Sequence, residues 1–330
     1  MDEAIDLYRK ALKLKPSWED GWWSLGSITY DEDKYVECAV AFRHLAVLKP
    51  DLAAGWTMAG LCEYKLRKFD DALESLTHAE RLGFQETPEL SRQARLHLAL
   101  VLTKSGSFER AITLLAELTH LDSKTPEIIT IVGIAGLRRP WLPSEVPEVE
   151  RDKVLKLGDA MATVMEGDWK AALEKFTQVL QAYPDDANIH FRYGAFLQSS
   201  DNDKGIAEIK KAIELEPEHI PALVGLSTIY LNKGEVQQAR EYAERAVKSA
   251  PRDFAARIAL GRALLHSEDP VGAARELEAA VRFAPDSPEA HMNLAAAYAQ
   301  LGRKADSERE RRVFKKLRED LPANDGSLRN

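Results

Sequence analysis

The sequence is poor in what chemistry or a membrane would use. Two cysteines, Cys38 and Cys62, in 330 residues cannot supply a zinc ligand set, and no CxxC pair marks a redox centre. Both fall on helix packing stripes, which reads as two buried, inert thiols. The longest apolar run, 128–137, is half of the roughly 20 residues that a spanning helix needs. The opening stretch MDEAIDLYRKALKLKP scatters charge where a secretory leader needs an apolar centre, which favours a cytoplasmic location by default. Positive charge is short as well: a net charge of -8 argues against the basic footprint of a chain that coats nucleic acid or an anionic membrane. In the one basic-leaning stretch, 302–321, acidic residues are interleaved with the lysines and arginines, the pattern of a solvated helix face.

Catalytic signatures are missing too. There is no GxxxxGK[ST] or GxGxxG to cradle phosphate, no HExxH, no GxSxG and no calcium-type acidic loop, so no catalytic residue, metal ligand or cofactor is assigned. His44 and His78 stand 34 residues apart on equivalent positions and are the best-placed histidine pair. Neighbouring helices lie about 8–10 Å apart, too far for a shared zinc with bonds of about 2 Å. These two, with His190 and His291, read as structural or solvated. Asp70-Asp71 and Asp185-Asp186 lie at helix starts, where carboxylates act as caps.

What the chain does have is Ala, Leu, Glu, Lys and Arg. Charged residues at 30% with aromatics at only 8% suit helices that each bury a narrow stripe. A length of 330 residues exceeds one compact core, leaving two domains or an elongated array. The prolines choose the array. Pro16 and Pro50 are 34 apart, as are Pro217, Pro251 and Pro285 in turn.

Within each period, small residues recur where two antiparallel helices must cross. Gly26, Gly60, Ala99, Gly194, Ser227, Gly261 and Ala295 mark the first helix. Ala4, Cys38, Ala72, Ala111, Ala172, Gly205, Ala239 and Ala273 mark the second, and in most repeats a bulky residue such as Phe42, Leu76 or Leu277 follows four later. The turns KSGS, EGDW, NKGE and QLGR place glycine just past a helical run, and Asp269 with Pro270 opens another helix.

Trp22-Ser24-Leu25-Gly26, Trp56 with Gly60, Leu226 with Tyr230 and Leu294 with Tyr298 resemble the signature of the tetratricopeptide repeat (TPR) family over almost the whole chain. Arg95, Lys156, Arg257 and His291 stand where that family prefers Trp, which makes the array divergent. The resemblance implies an all-α, right-handed superhelical solenoid of antiparallel helix pairs, about eight repeats plus a half.

The expected organisation is an N-terminal array over 1–139, a Pro-rich break at 140–148, a C-terminal array over 149–321 ending in a polar capping helix, and a disordered tail at 322–330. Residues 1–16 match only a second helix, which reads as a fragment of a longer protein or an end covered by something else. RRPWLPSEVPE cannot continue a helix, so Ile128–Arg138 is left as a first helix without its second. The break reads as an insertion that packs Trp141 and Leu142, or alternatively as a hinge or an exposed loop.

By the resemblance, the first helices line a concave groove that binds a protein or peptide. Its candidate residues are Trp23, Tyr30, Thr57, Tyr64 and His97 in the N-terminal half, with Phe191, Arg192, Gln198, Arg262 and Asn293 in the C-terminal half. The Lys, Asn and Arg set by which some members grip a chaperone's C-terminal carboxylate is absent; Trp23, Ser27, Thr57, Leu61 and Phe191 occupy those places. The expected function is a protein-interaction scaffold, not an enzyme, with no nucleic acid partner, no membrane insertion and self-association open. The alternative is a regulatory or targeting part of a larger enzyme or sensor.

Overall fold

A computed structural model describes residues 2–84, 87–122 and 124–319. Among these residues there are eighteen α-helices and no strand. The expected tail at 322–330 lies outside them. The chain forms two compact units, Met1–Val179 and Leu180–Asn330.

The first unit begins with α1 (Asp2–Leu14), followed by α2 (Glu19–Asp31) with α3 (Tyr35–Leu48), α4 (Ala53–Lys65) with α5 (Phe69–Arg81), and α6 (Pro88–Lys104) with α7 (Phe108–Asp122). It continues through α8 (Pro126–Gly136), the short 3-10 turn Pro143–Glu145, α9 (Glu148–Met165) and most of α10 (Trp169–Ala182). The second holds four pairs: α11 (Ala187–Leu197) with α12 (Asn202–Leu215), α13 (Ile220–Asn232) with α14 (Val236–Ser249), α15 (Phe254–His266) with α16 (Pro270–Phe283), and α17 (Pro288–Gln300) with α18 (Lys304–Glu319). Each unit is a stack of antiparallel helix pairs.

The small-against-bulky rule of the sequence is a physical contact. A methyl group on Gly26, Gly60, Gly194 or Gly261 would lie 2.5–2.7 Å from Phe42, Leu76, Ile209 or Leu277 respectively, so each glycine is the socket for the large side chain of its own second helix.

The Trp position explains its own divergence. Trp22 Nε1 donates to the Pro16 carbonyl at 2.7 Å and Trp56 Nε1 to that of Pro50 at 3.0 Å. His190 Nε2 meets Pro184 O at 2.8 Å, Arg257 Nε donates to Pro251 O at 2.8 Å, and His291 Nε2 meets Pro285 O at 2.9 Å. Each side chain reaches back six residues to tie its helix to the preceding turn. Any long N–H donor does this, so His and Arg replace Trp without loss of the bond. Arg95 and Lys156 do otherwise: Arg95 covers Phe84, and Lys156 pairs with Asp152 on its own helix.

Caps recur with the same period. Asp186, His219, Asp253 and Ser287 each stand two residues after a proline and accept an N–H from the first turn of α11, α13, α15 and α17. Asp269 caps α16 as expected. Asp70 and Asp71 do not cap; they lie in the first turn of α5, whose N-cap residue, Lys68, makes no side-chain cap bond.

Between paired helices the chain passes through a left-handed residue. Gly106, Gly167, Gly234 and Gly302 serve there with φ of 72–84°, whereas Asp33, Arg67 and Glu268 hold φ of 56–59° at the equivalent positions. A side chain in this region costs about 1 kcal/mol. Glu268→Gly is therefore expected to raise the stability of the second unit by about 0.5–1 kcal/mol in urea unfolding, with an unchanged m-value.

Cys38 and Cys62 correct the reading of two separate thiols. Both are fully buried on their packing stripes, but those stripes face each other, and the two residues form a disulfide between α3 and α4 with Cα atoms 6.0 Å apart.

The Pro-rich segment packs onto the first unit. Leu142 and Val146 are buried, and Glu145 accepts from Lys104 at 2.6 Å, from Arg67 at 2.5 Å and from the Leu142 N–H at 3.0 Å. Burial opposes ionisation of Glu145, yet these donors prevail and hold its carboxyl at about 2. Helix α8 does not lack a partner, because α9 packs directly against it. Gly133 and Gly158 sit at that crossing, where a methyl on either would come 1.9 Å from a backbone carbonyl of the other helix. Gly158 is thus placed for α8, which accounts for its offset from the repeat frame.

Candidate protein-binding face

The first-unit candidates stand along α2, α4 and α6, and five of their side chains meet different fates. Trp23 is 37% exposed, with its ring edge-on to Phe42 at 5.5 Å. Tyr30 and Tyr64, one period apart, are half-buried. Each is propped by the aromatic residue that opens its second helix: Tyr30 on Tyr35 at 5.8 Å, Tyr64 on Phe69 at 5.9 Å. Tyr35 and Phe69 were not among the expected residues, although their own 34-residue spacing carries the signal. His97 joins Tyr64 from the next first helix, ring to ring at 4.8 Å. Thr57 is only 1% exposed and is a packing residue, contrary to its place among the groove candidates.

Burial sets the electrostatics of this row. It pushes the Tyr30 hydroxyl up, helped by Asp31 and Asp33, and pushes the Tyr64 hydroxyl up against a small opposing effect of Arg67. Both phenols stay neutral donors. Burial pushes the His97 imidazole below 6.5, against the Gln93 carbonyl that meets Nδ1 at 2.8 Å. A carbonyl can only accept, so the neutral ring carries its proton on Nδ1 and leaves Nε2 as an acceptor. With a folded value below the unfolded one, His97 contributes stability at neutral pH that is lost as pH falls below 6.5. The melting temperature of the first unit should therefore drop between pH 7 and pH 5 more steeply in the wild type than in His97→Gln.

The second-unit candidates are occupied. Phe191 belongs to the core with Leu223 and Leu226, and Arg192, 8% exposed, lies over the Phe191 ring at 5.1 Å. Gln198 follows α11 and rests its amide on Gly205. Arg262 and Asn293 come together around Glu289: the arginine reaches its carboxylate at 3.9 Å and Asn293 Nδ2 donates to its carbonyl at 2.8 Å. Phe191 and Arg192 thus offer no open surface, and the aromatic row is confined to the first unit.

The histidines are engaged inside the repeats. His44 stacks on Trp22 at 4.5 Å and His78 lies tilted against Trp56 at 4.2 Å, so each histidine is held by the Trp of its own repeat. His190 and His291 place Nδ1 at 2.7 Å from Glu208 and Glu310. Among the described residues no group of three or more His, Cys, Asp or Glu could hold a metal, and no helix is long and apolar enough to cross a membrane.

A tetratricopeptide repeat profile matches residues 57–126, 161–220, 195–253, 224–288 and 259–310. The chain belongs to the tetratricopeptide repeat family. This TPR chain is 22% identical over 320 residues to the BBSome complex member BBS4 of Bos taurus, covering 93% of the chain and 60% of that protein. It is 28% identical over 156 residues to cellulose synthase operon protein C of Xanthomonas axonopodis pv. citri (strain 306), covering 45% of the chain and 10% of that protein. The chain therefore spans less than two thirds of either relative. Among solved structures, MamA 41-end from Desulfovibrio magneticus RS-1 aligns with 21% identity and a TM-score of 0.43, over 52% of this chain and 97% of that one.

Proposed function

We propose that this TPR chain is a non-catalytic protein-interaction scaffold that takes a peptide or a partner helix along the first helices of its first unit. The observation that carries the reading is the row Trp23, Tyr30, Tyr64 and His97, in which each Tyr is propped from below by a recurring aromatic and the Tyr64 and His97 rings meet across adjacent repeats. Rigid aromatics with a polar tip suit a site that buries a partner's apolar side chains while fixing its backbone by hydrogen bonds. Neutral Tyr30 and Tyr64 supply donors and His97 Nε2 an acceptor; no charge need be desolvated.

A peptide display library is expected to select a motif on the wild type that a Trp23→Ala, Tyr30→Ala, Tyr64→Ala variant binds at least about 30-fold more weakly, the scale of losing one aromatic hot spot. Equal selection by both proteins, with helical circular dichroism retained, would show that the aromatics serve packing alone. A second reading draws on the relatives. The chain covers 60% of a BBSome complex member and 10% of a much longer protein, which favours a part of a larger polypeptide or assembly that contributes recognition to it. Endogenous full-length protein that migrates at the 36.9 kDa mass of the free chain would count against that reading.

A further inference from the structure

Helix α3 is apolar on both sides. Its inner residues Cys38, Phe42 and Leu45 are buried in the repeat, while Val36, Val40 and Val47 on the opposite side are exposed by 65%, 52% and 76%. The period shows how unusual this is. At the equivalent positions, 34 residues on, α5 carries Asp70, Glu74 and Arg81, and the position of Val40 is Glu174 in α10, Glu241 in α14 and Arg275 in α16. The other second helices are charged or polar at most of these places, with Ala207 and the exposed Val271 among the exceptions. An exposed helix face that holds three valines where α5 holds three charges gains neither solubility nor helix propensity.

These valines floor a cleft of about 570 Å³ between α3 and α5. Its wall on α5 is acidic, with Asp71 and Glu74. Of its two cations, Arg43 is held by Glu63 at 2.5 Å and also reaches the exposed Glu74 carboxylate at 3.7 Å and the Asp71 carbonyl at 3.4 Å. Lys68 stands at the N-terminus of α5. Asp71 thus has no ion pair from Arg43, and Glu74 only a weak, exposed one. From Val36 to Val47 the floor runs about 16 Å at 1.5 Å per residue, three turns of a helix.

We propose that this outer face of α3 docks an amphipathic α-helix of a partner protein, whose apolar residues at i, i+4, i+7 and i+11 meet the valines and whose lysines or arginines meet Asp71 and Glu74. The site is distinct from the first-helix row and does not depend on it. A helix is the fitting occupant because the floor is a straight helical ridge with a second helix as its wall, the geometry into which ridges pack. The chain's own most basic helix, α18, does not match: its apolar residues Val313, Phe314 and Leu317 span only five residues and are half-buried within their own unit.

The test uses the full chain and a library of 14-residue helical peptides with fixed apolar positions i, i+4, i+7 and i+11 and all other positions random. The control is a V36D/V40E/V47R variant, which copies the residues of α5 and so keeps a helix face already accommodated in this array. Lysine- or arginine-rich peptides that bind the wild type, lose at least tenfold affinity for this variant and retain affinity for the Trp23→Ala, Tyr30→Ala, Tyr64→Ala variant are the expected result. Selection that shows no basic preference, or that the aromatic variant alone abolishes, overturns the proposal. So does sedimentation of the wild type as a dimer that the valine variant converts to monomer, since a second copy would then own the face.

Discussion

Gly158→Val is expected to cost the first unit about 4 kcal/mol, enough to melt the α8–α9 contact at room temperature. The added Cβ would stand 1.9 Å from the Ile129 carbonyl oxygen and 3.0 Å from the Gly133 nitrogen, and these are backbone atoms of a packed helix, which cannot rotate away as a side chain would. Gly133→Ala meets the Val154 carbonyl at the same 1.9 Å and should behave alike. Relief requires the two helices to separate, which uncovers Ile128, Ile131 and Val154, all buried now. Chemical denaturation with hydrogen exchange over α8 and α9 reads the outcome. A loss below about 1 kcal/mol would mean that the helices do not cross at these glycines. Gly225→Ala is the control, because its added methyl meets only Phe191, at an ordinary 3.6 Å.

Arg43→Met should cost about 3 kcal/mol at pH 7, because it strands a buried carboxylate. Glu63, 3% exposed on α4, accepts from Arg43 Nε at 2.5 Å and from Ser75 Oγ at 2.8 Å. Burial already pushes its carboxyl above 4.5 even with Arg43 present, and removal of the guanidinium pushes it further. A carboxyl whose folded value is raised stabilises the fold fully below its unfolded value, and that contribution is lost as pH rises through the folded one. The deficit of Arg43→Met should accordingly shrink from pH 7 to pH 5, opposite to the trend that His97 gives the wild type. Adding Glu63→Gln should restore much of the stability at pH 7 and flatten the pH dependence. A deficit independent of pH would mean that Arg43 acts through packing alone.

Period and pairing were open to the eye because each rests on local rules repeated. The 34-residue proline spacing, the glycines opposite Phe42, Leu76 and Leu277, and the turn glycines at 106, 167, 234 and 302 all follow from what two antiparallel helices need within one repeat. The candidate face was only half legible. Tyr30, Tyr64 and Trp23 stand where helical spacing puts them, but spacing gives direction and not depth. Thr57 and Phe191 share that direction and are nevertheless buried, Phe191 against His219 of the next repeat.

What the sequence determined by itself was the identity of each helix and the socket it offers its own partner, since these interactions lie within about one period. Tertiary structure alone decided the contacts between elements whose separation obeys no period. Cys38 meets Cys62 across 24 residues, Glu145 binds Arg67 across 78, and Gly158 finds α8 by stepping out of register. Such pairs follow from how whole helices stack and where the Pro-rich insertion lands. That is a balance of packing over the entire unit, and no local pattern encodes it.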